Sequence, residues 1–253
     1  MRRVITALTG VLALAGVGSV LAAGAGATPG DVTCTGTIAS GFTGHMNVPH
    51  NLIIPSGRAC GPTQGSTIGH DVIVQPGGAF YPGGTTIGHD VRATGAAMIE
   101  LGDVNNGTTQ TVIKHDVIIK QTTGPMPYGN FICQSRIGHN LLISGSKSNA
   151  SGWDVGYADP PNCGRNSQPG VNVGHNATFR QNATSMLVGQ LKVRGKLTFR
   201  GNRGSQNLLV GNYARRGCRR SRNRAYSGYG NRVGRHRHNN CNATSGGRGI
   251  GGR

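Results

Sequence analysis

Thr67-Ile68-Gly69-His70-Asp71-Val72-Ile73-Val74 is repeated almost letter for letter as Thr86-Ile87-Gly88-His89-Asp90-Val91, and that recurrence governs how the rest of the chain is read. The phrase returns as Val112-Ile113-Lys114-His115-Asp116-Val117, Arg136-Ile137-Gly138-His139-Asn140-Leu141 and Asn172-Val173-Gly174-His175-Asn176-Ala177, after a worn opener at His50-Asn51-Leu52. Its histidines lie 20, 19, 26, 24 and 36 residues apart. A period near 20, with insertions carried in loops, matches one coil of a parallel β-helix: a single repeat cannot bury its own apolar side and must stack on its neighbours. After each Asp or Asn the chain alternates, as in Val72-Ile73-Val74 and Val117-Ile118-Ile119, so the first and third members should point inward and the second outward. The fold expected is all-β, a right-handed single-stranded parallel β-helix, or β-solenoid, with a disulfide-held cap and a basic, partly disordered C-terminal end.

Composition agrees with a narrow core. Of 253 residues, 44 are glycine and only 5% are aromatic, too few large side chains to fill a wide globule. Arg2 and Arg3, the apolar run Val4 to Ala23 and the small residues Ala25-Gly26-Ala27 read as a cleavable secretory signal over 1–27. No later apolar run is long enough to span a membrane. Residues 28–60 read as an N-terminal cap with a first rung, and 61–200 as the β-helix body with a loop excursion at 144–170. That excursion carries Trp153, Asp154, Tyr157 and Asp159. Residues 201–253 read as degenerate rungs and an Arg/Gly-rich tail. Val193 to Arg200 aligns with Val173 to Arg180, and Val210-Gly211-Asn212 and Val233-Gly234-Arg235 look like two last eroded copies.

The formal charge of +18 is unevenly spread. Residues 28–190 hold eight basic and eight acidic residues, whereas 191–253 hold sixteen basic and none acidic. That end, with Tyr213, Tyr226 and Tyr229 interleaved, has the charge to hold a cell-wall polymer, an anionic headgroup or nucleic acid through Arg215, Arg216, Arg219, Arg220, Arg222, Arg224, Arg235 and Arg237. Its self-repulsion and lack of apolar residues also argue for poor order. Six cysteines in an exported chain imply oxidised pairs. They fall into sequential couples, each spanning about one coil, so Cys34–Cys60, Cys133–Cys163 and Cys218–Cys241 is the preferred of fifteen pairings.

The His-Asp column is the feature that most resembles a site. Stacked coils would line up His70, His89, His115 and His139, with Asp71, Asp90, Asp116 and Asn140 beside them. Such a row could chelate a metal or titrate together. A ladder of turn residues explains it more simply: glycine allows a positive φ, and Asp or Asn bonds the neighbouring backbone. No metal, cofactor or catalytic residue is therefore assigned. Asp71, Asp90 and Asp116 would be the carboxylates of a polysaccharide-cleaving alternative. Neither Gly-x-Ser-x-Gly, nor a phosphate loop, nor His-Glu-x-x-His occurs. The outward residues Ile53, Ile73, Ile118 and Leu142, interrupted by Arg92, form an apolar stripe suited to self-association or to a covering loop.

Cys34-Thr35-Gly36-Thr37, the segment Pro55-Ser56-Gly57-Arg58-Ala59-Cys60, the repeated Thr-Ile-Gly-His-Asp-Val rungs and a closing cysteine resemble the secreted parallel β-helix repeat proteins of high-GC Gram-positive bacteria. The resemblance covers about Thr28 to Cys241 and is weaker after Leu191. It implies an exported β-helix and no particular activity. The arginine-rich end departs from the neutral Asn/Gly rungs usual there, and a frame disturbance in a GC-rich gene would produce the same enrichment. The reading from sequence is a secreted, non-catalytic structural or surface-binding module of the cell envelope, with polysaccharide cleavage and polyanion binding as alternatives.

Overall fold

The computed structural model describes residues 29–37, 43–102, 110–124, 129–156, 163, 170–235 and 237–242. Its strands form three sheets in which each strand pairs in parallel with the equivalent strand of the next coil. The first sheet has nine strands, from Val32–Thr33 through Val72–Val74 to Cys218–Ser221. Eight make the second, from Ala59–Cys60 to Tyr226–Tyr229, and nine the third, from Asn47–Val48 to Arg232–Val233. Each coil runs from the third sheet through the Gly-His-Asp corner into the first sheet, then to the second. No helix of the described residues is long and apolar enough to cross a membrane.

Register follows the phrase. Leu52, Val72, Val91, Val117, Leu141, Ala177, Leu197 and Cys218 stand over one another on the first sheet, and all are buried. The residue after each faces outward: Ile53, Ile73, Arg92, Ile118, Leu142, Thr178, Thr198 and Arg219 form one file. The apolar stripe thus lies where alternation puts it, half-buried between its neighbours above and below, with Arg92 exposed. On the first sheet, aliphatic residues fill the inward positions of the early coils. Phe179 and Phe199 then take over, joined by Tyr226 of the second sheet, with successive ring centroids 6.1 and 5.7 Å apart.

The three disulfides pair as the spacing suggests, with Cα separations of 6.0 Å for Cys34–Cys60, 5.4 Å for Cys133–Cys163 and 5.8 Å for Cys218–Cys241. The last one draws residues 237–242 across the open end of the coil. There Cys218 N–H donates to the His238 carbonyl, Asn240 N–H to the Cys218 carbonyl, and the Tyr226 hydroxyl to the Cys241 carbonyl. An edge that would otherwise present unpaired backbone is covered.

Four local expectations are corrected. The 144–170 excursion contains a core strand, Trp153–Val155, in register with Asn130–Ile132 and Met186–Val188. Trp153 is fully buried and donates its indole N–H to Ser146 Oγ at 3.1 Å, while Tyr157 and Asp159 lie outside the described residues. Val210-Gly211-Asn212 is not a copy of the phrase. Val210 closes a second-sheet strand opposite Tyr229, and the true copy is Tyr213 to Arg216, because Ala214 pairs with Val193 and Val233. The arginine-rich coils are ordered in register through Val233, since their inward positions still hold Leu209, Ala214, Cys218 and Tyr226. Residues 243–253 lie outside the described residues, as do 1–28. Finally, the corner glycines 69, 88, 138 and 174 do not have positive φ. Glycine is needed there because a Cβ would collide with a carbonyl oxygen of the preceding coil: that of Pro49 for Gly69, and that of Gly138 for Gly174.

Candidate functional site

The phrase builds one corner of the coil, and its polar residues make two parallel files. His50, His70, His89, His115, His139 and His175 stack with ring centroids 4.3–5.1 Å apart. Beside them each Asp or Asn uses Oδ1 to accept the backbone N–H of its equivalent one coil on. Asp90 N–H reaches Asp71 at 3.0 Å, Asp116 N–H reaches Asp90 at 2.9 Å, and Asn140 N–H reaches Asp116 at 2.8 Å. The file opens at Asp31 and closes where Lys196 N–H meets Asn176 Oδ1 at 2.9 Å. Two imidazoles are tied to the carboxylate of an earlier coil: His50 Nδ1 lies 2.7 Å from Asp31 and His89 Nδ1 2.6 Å from Asp71.

This geometry is corner-holding. Two groups, His70-Asp71-His89 and His89-Asp90-His115, bring ligand atoms within 4.8 Å of one another. A cation at either would have to compete with backbone N–H groups already bonded to those carboxylates. It would also face Arg92, whose guanidinium grips Asp90 Oδ2 at 2.7 and 3.0 Å and stands 3.9 Å from Asp71 Oδ2. Burial works against the Asp90 carboxylate, yet the Asp116 N–H, Arg92 and nearby His89 outweigh it and hold its pKa below the usual value. The same engagement applies to the three aspartates of the cleavage alternative.

The arginines singled out in the sequence do not share a face. Arg219 points outward from the first sheet. Arg220 lies over the Tyr226 ring, 4.9 Å from its centroid, and donates to the Asn240 carbonyl, closing the coil's end. Arg222 sits at a bend with positive φ. Arg224 and Arg203 border a hydroxyl-lined hollow of about 440 Å³ with Thr184, Ser185 and Ser205. Arg235 and Arg237 are exposed in the closing turn. Arg215 and Arg216 stay on the phrase's corner, where Arg216 takes the histidine slot and Arg235 follows in the same slot one coil on.

What stacking does assemble is a groove over the third sheet that sequence reasoning missed. The outward residues of that sheet line up as Val112, Arg136, Asn172, Lys192, Tyr213 and Arg232. Arg194 and Arg215 flank them from the corner. Arg136, Asn172, Lys192, Arg194, Tyr213 and Arg215 together line an open groove of about 570 Å³, and none of its lining residues among those described is acidic. Tyr213 is 43% exposed, one of two large apolar side chains so displayed among the described residues. The signal was present in the letter before the inward Ile, Val or Ala that leads into each corner, but register was needed to show that those letters share a line. Glu100 also went unremarked. It is the chain's single glutamate, half-buried on the outer side of the second sheet opposite Phe131.

Compared with family models, with curated proteins and with solved structures, the chain matches none.

Proposed function

We propose that this protein is a secreted, non-catalytic β-solenoid that binds an anionic polysaccharide of the cell envelope. One observation carries the reading: the groove on the third sheet, none of whose described lining residues is acidic, holds Arg136 and Lys192 two coils apart in one file and Arg194 and Arg215 on successive coils, about 4.8 Å apart, in the file beside it. Cations aligned along the coil axis suit an extended polyanion better than a small solute. Export is supported by the arginine-led apolar run at the N-terminus and by three disulfides, which persist in oxidising compartments.

Polygalacturonate, with neutral dextran as control, provides the test. The protein should bind the former, salt-sensitively, and leave it uncut. K192S/R194S/R215S, which alters only exposed side chains, should bind roughly 10- to 100-fold more weakly at low salt. Equal binding by that variant, or shortened polymer in the wild-type reaction, refutes the proposal.

A further inference from the structure

The histidine file and the cationic groove are two stretches of one corner. Backbone hydrogen bonds continue the file from His175 through Gly195 to Arg216. The slot beside it, glycine at residues 69, 88, 138 and 174, holds Lys114, Arg194 and Arg215 instead in other coils. Charge changes sign along this line. Around the imidazoles stand the carboxylates of Asp31, Asp71, Asp90 and Asp116, the cations Arg92, Lys114 and, beyond His175, Lys196, and the neutral Asn51, Asn140 and Asn176. With uncharged imidazoles the four acids outnumber the three bases and gather in the early coils, so the early coils repel an anion that the later coils attract.

Six imidazolium charges reverse that balance. Histidine is the side chain whose charge ordinarily changes between about pH 5 and 8. Rings spaced 4.3–5.1 Å apart would then carry like charges in a row, a repulsion that an anionic chain laid along them relieves. Binding and protonation therefore favour each other, as linked equilibria must.

We infer that the file His50–His175 is an acid-charged extension of the groove, so that the protein holds a longer stretch of anionic polysaccharide, parallel to the coil axis, as pH falls. The inference rests on the anion-binding reading of the groove. A glycan is favoured over single-stranded nucleic acid because the latter is held by successive stacking aromatics, and the groove's described lining residues include one, Tyr213. Sugar carboxylates stay ionised well below neutrality, so the partner keeps its charge while the protein gains its own.

Affinity for a labelled oligogalacturonate is measured on the full chain at about pH 7.5 and about pH 5.5, at constant ionic strength, beside an oligothymidylate of equal charge. The comparison variant is H70Q/H115Q/H139Q, whose rings make no side-chain hydrogen bond among the described residues, and melting curves at both pH values verify folding. Wild type should bind the glycan roughly tenfold more tightly at the lower pH, and the variant should gain no more than about twofold. Glycan binding at pH 7.5 without an acid gain overturns this inference and leaves the groove intact; failure to bind at pH 7.5 removes the groove reading itself. An acid gain that survives in the variant, a coil that melts at the lower pH, or a larger gain for the oligothymidylate each overturn the assignment.

Discussion

Asn202 is fully buried and spends both ends of its amide on the neighbouring coils. Its Oδ1 accepts from the Asn182 backbone at 3.1 Å and side chain at 2.9 Å, and its Nδ2 donates to the Phe179 carbonyl and to Asn223 Oδ1. Asn202→Ala would strand buried donors and acceptors on two coils, and should cost about 3 kcal/mol in a denaturant titration. Glu100 behaves in the opposite sense. Burial pushes its carboxyl up to about 7, and its Oε1 has no hydrogen-bond partner among the described residues. A carboxyl raised in the folded state costs nothing while both states are protonated, below about pH 4, and its penalty grows as pH climbs to about 7. Glu100→Gln should therefore be neutral to stability near pH 4 and stabilising, on the order of 3 kcal/mol at most, near pH 8. A stability gain that does not change with pH would contradict this origin.

At the scale of the element, the coils hold together by neighbour contacts, so each end is only as secure as its cover. The C-terminal cover depends on Cys218–Cys241, which closes a loop of 23 residues. Cys218→Ala/Cys241→Ala should lose about 3 kcal/mol, and the loss should be local. Amide exchange is expected to rise in Cys218–Ser221, Tyr226–Tyr229 and Arg232–Val233 while Val117–Lys120 stays protected; uniform exposure would mean that the coils unfold as one. Elements differ in how plainly the sequence announces them. First-sheet strands such as Val72–Val74 are legible because aliphatic alternation follows a recurring corner. The second sheet was not, since Trp153–Val155 and Asn207–Val210 carry polar or aromatic residues inward and follow insertions of unequal length. Two further Asn ladders, Asn182-Asn202-Asn223 and Asn212-Asn231-Asn242, run along the other corners. Their signature is an Asn preceded by a residue with positive φ, Gln181, Gly201, Gly211 or Gly230, and the alternation of Gln, Gly and Arg in that slot hid it.

For the whole molecule, periodicity of one short phrase was enough to establish a parallel β-solenoid, the inward and outward sides of its first sheet and the axial rows of His and Asp, and it favoured the disulfide pairing that the structure shows. These depend on spacing along the chain, and a stack of near-equal coils converts sequence spacing directly into spatial register. The cationic groove was decided in three dimensions. Counting charge placed it in the last quarter of the chain, yet Arg219, Arg220, Arg222 and Arg224 point to different sides, and Arg136, far earlier, joins Lys192, Arg194 and Arg215 in the groove. A coil turns each stretch of about 20 residues through a full circuit, so neighbours in sequence diverge around the axis while residues whole coils apart meet along it; composition cannot register that rotation, and only the closed tertiary structure does.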